Sequence, residues 1–293
     1  MYRSLEEICE AAEGSSFYEA VLADDCKERG IKEVESKAQM RAMYEAMKQA
    51  DAGYEAKRVS ASGLAGTDGE KLAQARAQKK LICGDLIGLV MEKAVKRGES
   101  NACMKRIVAA PTAGSCGVLP AVLLSLEETG SYRTEQLVEA LYVAAGIGGV
   151  IADRAFIAGA AGGCQAEIGS ASAMAAGAVT WLRGGDGVQI IHAAALALKS
   201  LLGLACDPVA GLVEVPCIKR NASGAMVAMC CADMALAGIR SAVPPDEVIM
   251  AMKDVGDKMD VSLRETGLGG IAGTPSGVKI ADELRLAYGH LNG

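Results

Sequence analysis

The sequence predicts an all-α protein, a single helical bundle-like domain over residues 1–293, and three observations carry that prediction. Hydrophobic residues make up 51% of the chain, but aromatic residues only 3%, so a large core has to be filled by Ala, Leu, Val, Ile and Met. Such a core suits close-packed helices with small residues at their contacts. Apolar–polar alternation with β-branched residues, the signature of a strand, is almost absent. Residues 107–126 carry no charge, and residues 155–182 and 187–205 carry only Glu167 and Lys199. Helices apolar all round belong at the centre of a large bundle.

Taken in order, residues 1–60 form a more polar helical part and residues 61–293 the core of the same domain. Ser4-Leu5-Glu6-Glu7 resembles a capping box and opens a first helix. Residues 31–56 mix Met40, Ala42, Met43, Ala46 and Met47 with Lys, Glu and Arg, without Pro and with one Gly, and read as a longer helix. Residues 60–69 hold three Gly, two Ser, a Thr and an Asp and form a loop. Helix is expected again over residues 70–97, with Cys83 inside it. The three poorly charged stretches raise a membrane reading. Against it stand Pro111, Thr112, Ser115 and Pro120 in the first stretch, and the weak hydropathy of Ala, Gly and Ser in the other two. No membrane is expected. After Val243-Pro244-Pro245 the pattern returns to charged amphipathic helix, broken by Gly267-Leu268-Gly269-Gly270 and Thr274-Pro275-Ser276-Gly277.

A net charge of −6 and the scarcity of rings exclude a nucleic-acid binder, which needs a basic footprint and stacking platforms. The first residues are charged, without the apolar core of a signal peptide, so the expected location is cytoplasmic with reduced thiols. There are ten Cys and no C-x-x-C pair, which argues against a zinc ribbon or a thioredoxin-type site. Three of them stand apart, each at a helix-breaking Gly or Pro: Cys164 in Gly162-Gly163-Cys164-Gln165, Cys206 in Ala205-Cys206-Asp207-Pro208, and Cys217 in Val215-Pro216-Cys217-Ile218. On local context alone they are either three structural thiols near loops or three ligands that converge. If they converge, three thiolates on a [4Fe–4S] cluster leave one iron without a protein ligand. An open iron is a Lewis acid suited to a leaving hydroxyl, which favours a dehydration.

The chain resembles the alpha chain of the bacterial iron–sulfur-dependent L-serine dehydratases from about residue 1 to its end. The resemblance is carried by Ala109-Ala110-Pro111-Thr112-Ala113-Gly114-Ser115-Cys116-Gly117 and by Gly159-Ala160-Ala161-Gly162-Gly163-Cys164-Gln165-Ala166-Glu167-Ile168-Gly169-Ser170-Ala171. It continues in Gly203-Leu204-Ala205-Cys206-Asp207-Pro208-Val209-Ala210-Gly211, Leu212-Val213-Glu214-Val215-Pro216-Cys217 and Lys219-Arg220-Asn221-Ala222. Arg264-Glu265-Thr266-Gly267 with Gly269-Gly270 closes the set. The resemblance implies an all-helical catalytic domain, cluster ligands at Cys164, Cys206 and Cys217, and a [4Fe–4S] cofactor. It also implies the reaction: L-serine loses water to aminoacrylate, which hydrolyses through the imine to pyruvate and ammonia.

That reaction needs a carboxylate-binding group and a base for the Cα proton. For the carboxylate the first candidate is the small-residue turn of Thr112, Gly114 and Ser115, whose alternative role is a plain helix cap. The second is the loop with Ser62 and Gly63, aided by Lys71, whose alternative is a solvated lysine. Only His192 and His290 are present. The first reads as a packed helical residue and the second as solvated. In the resembled family a Ser-His-Thr motif belongs to the beta part, a separate chain in two-chain members, and none occurs here. The catalytic base is therefore unassigned and a beta chain is the expected partner; a homo-oligomer is left open. Single-chain members carry a Cys near the C-terminus that reaches the cluster. His290-Leu291-Asn292-Gly293 holds none, so that device is expected to be absent. Cys116 and the Cys230-Cys231 pair read as packing. Glu167 is expected either to orient a ligand or the substrate amine, or to pair with Arg154 or Lys219; Asp207 and Asn221 are candidates to support the ligands. Two other functions remain: an L-cysteine desulfidase-type lyase, told apart by release of sulfide, and a non-catalytic cluster-binding subunit.

Overall fold

A computed structural model describes residues 2–289; His290 and the end of the chain lie outside the described residues. Among the described residues the chain forms thirteen α-helices and no strand. The first three are α1 (Leu5–Ala11), α2 (Phe17–Arg29) and α3 (Glu33–Ala52). Ser4 caps α1 by accepting from Glu7 N at 3.0 Å, as the capping pattern predicts. Gly30, at φ 66°, ends α2 in the left-handed region that favours glycine. α3 accounts for the predicted helix over residues 31–56.

The helix expected over residues 70–97 is two: α4 (Asp68–Ala77) and α5 (Gly84–Ala102). Lys79 and Gly84 both take left-handed φ values, 54° and 77°, which no helix can continue through. Cys83 therefore lies exposed in the connection, not inside a helix. Then come α6 (Val118–Glu128), α7 (Thr134–Arg154), the short α8 (Gly159–Gly162), a π-helical turn at Gln165–Gly169, α9 (Ser170–Leu182) and α10 (Gly187–Lys199). The chain ends with α11 (Cys217–Leu236), α12 (Pro245–Lys258) and α13 (Pro275–Tyr288).

α9 is the axis of the protein. Every residue from Ser170 to Thr180 is buried, and the helix packs against α7, α10, α11 and α6. Its Ala-rich surface lets neighbours approach closely: a Cβ on Gly177 would stand 2.1 Å from Ile147 Cδ1 of α7. This is where the small-residue excess goes. One continuous core runs from Leu5, Phe17 and Tyr44 through α9 to Ala235 and Met252. None of the three poorly charged stretches forms a helix long enough to span a bilayer, because turns divide them. The one described helix long and apolar enough is α7, and 61% of its apolar window is buried inside the protein.

Candidate active site

Cys164, Cys206 and Cys217 are buried, at 2%, 3% and 7% exposure, on three separate connections. Cys164 follows Gly163, whose φ of 77° turns the chain into the π-helical turn. Cys206 is held in an isolated parallel bridge with Arg264. Its N–H donates to Leu263 O at 2.8 Å and its carbonyl accepts from Glu265 N at 2.7 Å. Cys217 opens α11 directly after Pro216.

Two side chains tie these segments together. Arg220, one turn into α11, donates to Ala205 O and to Asp207 Oδ1, both at 2.7 Å, and its charge bears on the Cys164 thiol. It thus grips both flanks of Cys206 from the helix that Cys217 begins. Gln165, fully buried, donates to Met252 O at 3.0 Å and accepts from Gly203 N at 2.9 Å, which fixes the loop leading to Cys206. Asp207 accepts in addition from Ile271 N at 2.7 Å. Gly270 lets that loop close, because a Cβ there would stand 2.3 Å from Asp207 Oδ2.

The three thiols lie close enough to perturb one another. Burial pushes Cys164 up to about 12, against the Arg220 charge, and burial with the neighbouring Cys164 pushes Cys217 up to about 12. Cys206 is raised by burial first and by Cys164 next. Among the described residues no group of three His, Cys, Asp or Glu is set for a single metal ion.

The turn before α6 lies beside them. Thr112 Oγ1 donates to Glu167 Oε1 at 2.7 Å, and Ser115 Oγ accepts from Thr112 N at 3.3 Å. Neither side chain caps α6. Thr112 is thus turned to Glu167, whereas the amides of Ala113 and Gly114 carry no hydrogen bond to the described residues. Asn221 bolts this turn to α11: it accepts from Gly117 N at 2.8 Å and donates to Gly114 O at 2.8 Å and to Cys217 O at 3.0 Å. Glu167, on the π-helical turn, pairs with neither expected cation. Arg154 stands 3.9 Å from Asp246, and Lys219 binds Asp68 at 2.6 Å. Burial raises the Glu167 carboxyl above its usual range.

The second predicted loop also reaches this region. The hydroxyls of Ser60 and Ser62 both donate to Glu214 Oε2, at 2.8 and 2.6 Å, three residues before Cys217. Gly63, at φ 79°, shapes the turn. Lys71 is exposed and its ammonium sits on Asp68 Oδ1 at 2.7 Å, so its charge is already answered. Cys116 is buried, with Sγ 3.8 Å from Arg97 O, and Cys230 faces out while Cys231 faces in, as two neighbours on a helix must. His192 is half-buried in α10, where Nδ1 accepts from Ser241 N at 3.1 Å.

The family model for the serine dehydratase alpha chain matches residues 12–272. The chain belongs to that family. Among curated relatives, a probable L-serine dehydratase alpha chain of Bacillus subtilis is 51% identical over 225 residues, covering 77% of this chain and 75% of the relative. An L-serine dehydratase alpha chain of Peptoniphilus asaccharolyticus is 51% identical over 201 residues, 69% of each chain. An L-serine dehydratase of Escherichia coli is 44% identical over 178 residues, 59% of this chain but only 39% of that protein.

Sequence reasoning passed over Arg220 and Glu214 within the family's motifs. Glu214 is a lone charge in a run of small or apolar residues, and that is a usable signal, since an isolated charge there is costly unless it is paired; Arg220 follows Lys219 and carries no such mark. It read the turn of Thr112, Gly114 and Ser115 as a place where N–H groups can surround an anion, but did not name the amide of Ala113.

Proposed function

We propose that this chain is the catalytic alpha chain of an iron–sulfur L-serine dehydratase, a lyase that converts L-serine to pyruvate and ammonia. What supports the reading is that three buried thiols on three separate connections bear on one another electrostatically, in a chain of this family. The donor set fits the cofactor: thiols are the ligands that iron–sulfur clusters take, and these three have no disulfide partner. Cys164, Cys206 and Cys217 would hold a [4Fe–4S] cluster, which supplies a Lewis-acidic iron for the departing hydroxyl.

The chain's own residues do the rest of the binding. The amides of Ala113 and Gly114, with the Ser115 hydroxyl beside them, take the substrate carboxylate, in the manner of an anion-binding turn. Arg220 and Gln165 hold the Cys164 and Cys206 segments in register. The loop with Ser62 and Gly63 closes over the Glu214 side of the site. His192 is engaged with Ser241 and is not offered to this region, and His290 lies outside the described residues. The Cα proton is taken by a group from a beta chain, in accord with the longer Escherichia coli relative, of which this chain covers 39%. A cytoplasmic setting belongs to the same reading, since free thiols need a reducing compartment.

The test is anaerobic purification with iron and acid-labile sulfide analysis. The expected result is about four irons per wild-type chain, with cluster content collapsing in Cys164→Ala. A full four-iron cluster in that variant would sink the ligand assignment. Mixing the loaded chain with L-serine, with and without the beta chain, separates an enzyme from a scaffold. Pyruvate that appears only with the partner supports the reading, and brisk pyruvate release without it removes the partner's base.

A further inference from the structure

Glu167 is a half-buried carboxylate that no cation answers. Among the described residues it forms no ion pair, and the charge that bears on it is another acid, Glu265, which is bonded through its backbone to Cys206. A carboxylate in that position is costly unless something positive visits it. The surroundings are shaped to keep it where it is. A Cβ on Gly114 would stand 2.8 and 3.0 Å from its two oxygens. A Cβ on Gly159 would stand 2.9 Å from Glu167 Oε2 and 2.8 Å from Cys206 Sγ. Two glycines therefore make room for one carboxylate, which is wedged between the anion-binding turn and a thiol. Thr112 Oγ1 holds Oε1 and leaves Oε2 toward Gly159. The π-helical turn, one residue wider than an α-turn, is what swings Glu167 out of the buried row of Gln165, Ala166 and Ile168.

An L-serine molecule carries its carboxylate and its ammonium on the same carbon. Gly114, in the turn that carries the free amides, packs directly against the Glu167 carboxylate. We propose that Glu167 receives the substrate ammonium and is the residue that restricts this site to α-amino acids, with Thr112 as its positioning residue. The assignment rests on the reading of L-serine as substrate. It gives the carboxylate and ammonium of the zwitterion adjacent, opposite partners, and points the hydroxymethyl group toward the thiols by elimination.

The test compares L-serine with 3-hydroxypropanoate, which lacks only the ammonium, by isothermal titration of the cluster-loaded chain. The wild type is expected to favour L-serine, and Glu167→Gln to weaken L-serine roughly 10- to 100-fold, the range of a lost charged hydrogen bond. Binding of 3-hydroxypropanoate should stay nearly unchanged. Glutamine keeps the size and can still accept from Thr112. Thr112→Val, which keeps the carboxylate but removes the bond that positions it, should weaken L-serine less than Glu167→Gln does and retain the preference for L-serine. If Glu167→Gln still favours L-serine, or loses both ligands to the same degree while folded, the assignment fails. Unaltered L-serine binding with loss of Cα-proton exchange overturns it as well, by making Glu167 the base. A wild type that binds neither ligand overturns the reading of the substrate, and the role of Glu167 with it.

Discussion

Asn221 is 1% exposed and makes three hydrogen bonds, to Gly117 N, Gly114 O and Cys217 O. Cys217 O keeps its intrahelical partner, Asn221 N, but Gly117 N and Gly114 O have no other. Truncation to alanine strands them in the core at about 1–3 kcal/mol for each group left unsatisfied. Asn221→Ala is therefore expected to lose about 2–4 kcal/mol in urea unfolding of the cluster-free chain, at the upper end of single substitutions. The same variant should bind L-serine more weakly, because the turn that offers the Ala113 and Gly114 amides is no longer bolted to α11. A loss below 0.5 kcal/mol, the size of a surface change, would show that the turn holds itself. At this scale the sequence was partly legible. Cys164, Cys206 and Cys217 stood out through their Gly and Pro flanks, and Asn221 and Asp207 as supporting groups, because such residues leave a local mark. The reach of Arg220 to both sides of Cys206 did not, because it depends on how a distant loop folds back.

At the scale of elements, the crossing of α11 over α9 sets the distance between Cys217, at the start of α11, and Cys164, just before the turn that leads into α9. Gly224 lies at that crossing. A Cβ there would stand 2.6 Å from Ile168 Cγ2 and 2.8 Å from Ser172 Oγ. Both neighbours are pinned: Ile168 is branched and 1% exposed, and Ser172 Oγ is committed to Ile168 O and Gly224 O. Alanine in place of glycine raises helix propensity by about 1 kcal/mol, but overpacking a fixed contact costs about 1–3 kcal/mol. Gly224→Ala should come out net destabilised in urea titration, with lower iron content after anaerobic reconstitution. A more stable variant with full iron would show that the crossing has slack. The helical class and most elements were legible from composition and period, since burial all round leaves a signature along the chain. The break between α4 and α5 and the π-helical turn were not. Lys79 takes a left-handed φ with no glycine to announce it, and an extra residue in a turn is dictated by packing on both sides of Glu167.

For the whole molecule, the question is whether the polar residues 1–60 fold as part of the same unit as the rest. The contacts argue that they do. Asp246, in the first turn of α12, accepts from Leu5 N at 2.9 Å and Glu6 N at 3.3 Å, and so serves the exposed amides of α1 from the far end of the chain. The single tryptophan, Trp181 at the end of α9, donates to Ser16 Oγ at 2.8 Å and meets the Tyr18 ring edge-on at 5.4 Å. Trp181 fluorescence therefore reports the seam between α2 and the core, while far-UV circular dichroism reports helix everywhere. If residues 1–60 share one cooperative core with the rest, the two signals fall together in urea. Asp246→Ala, which strips α1 of a cap worth about 1 kcal/mol, should then shift both midpoints down by the same amount. In a protein whose N-terminal helices come away first, the fluorescence change precedes the loss of helix, and Asp246→Ala widens the gap. Coincident curves for both proteins establish the single unit, and an early fluorescence transition in the wild type rules it out.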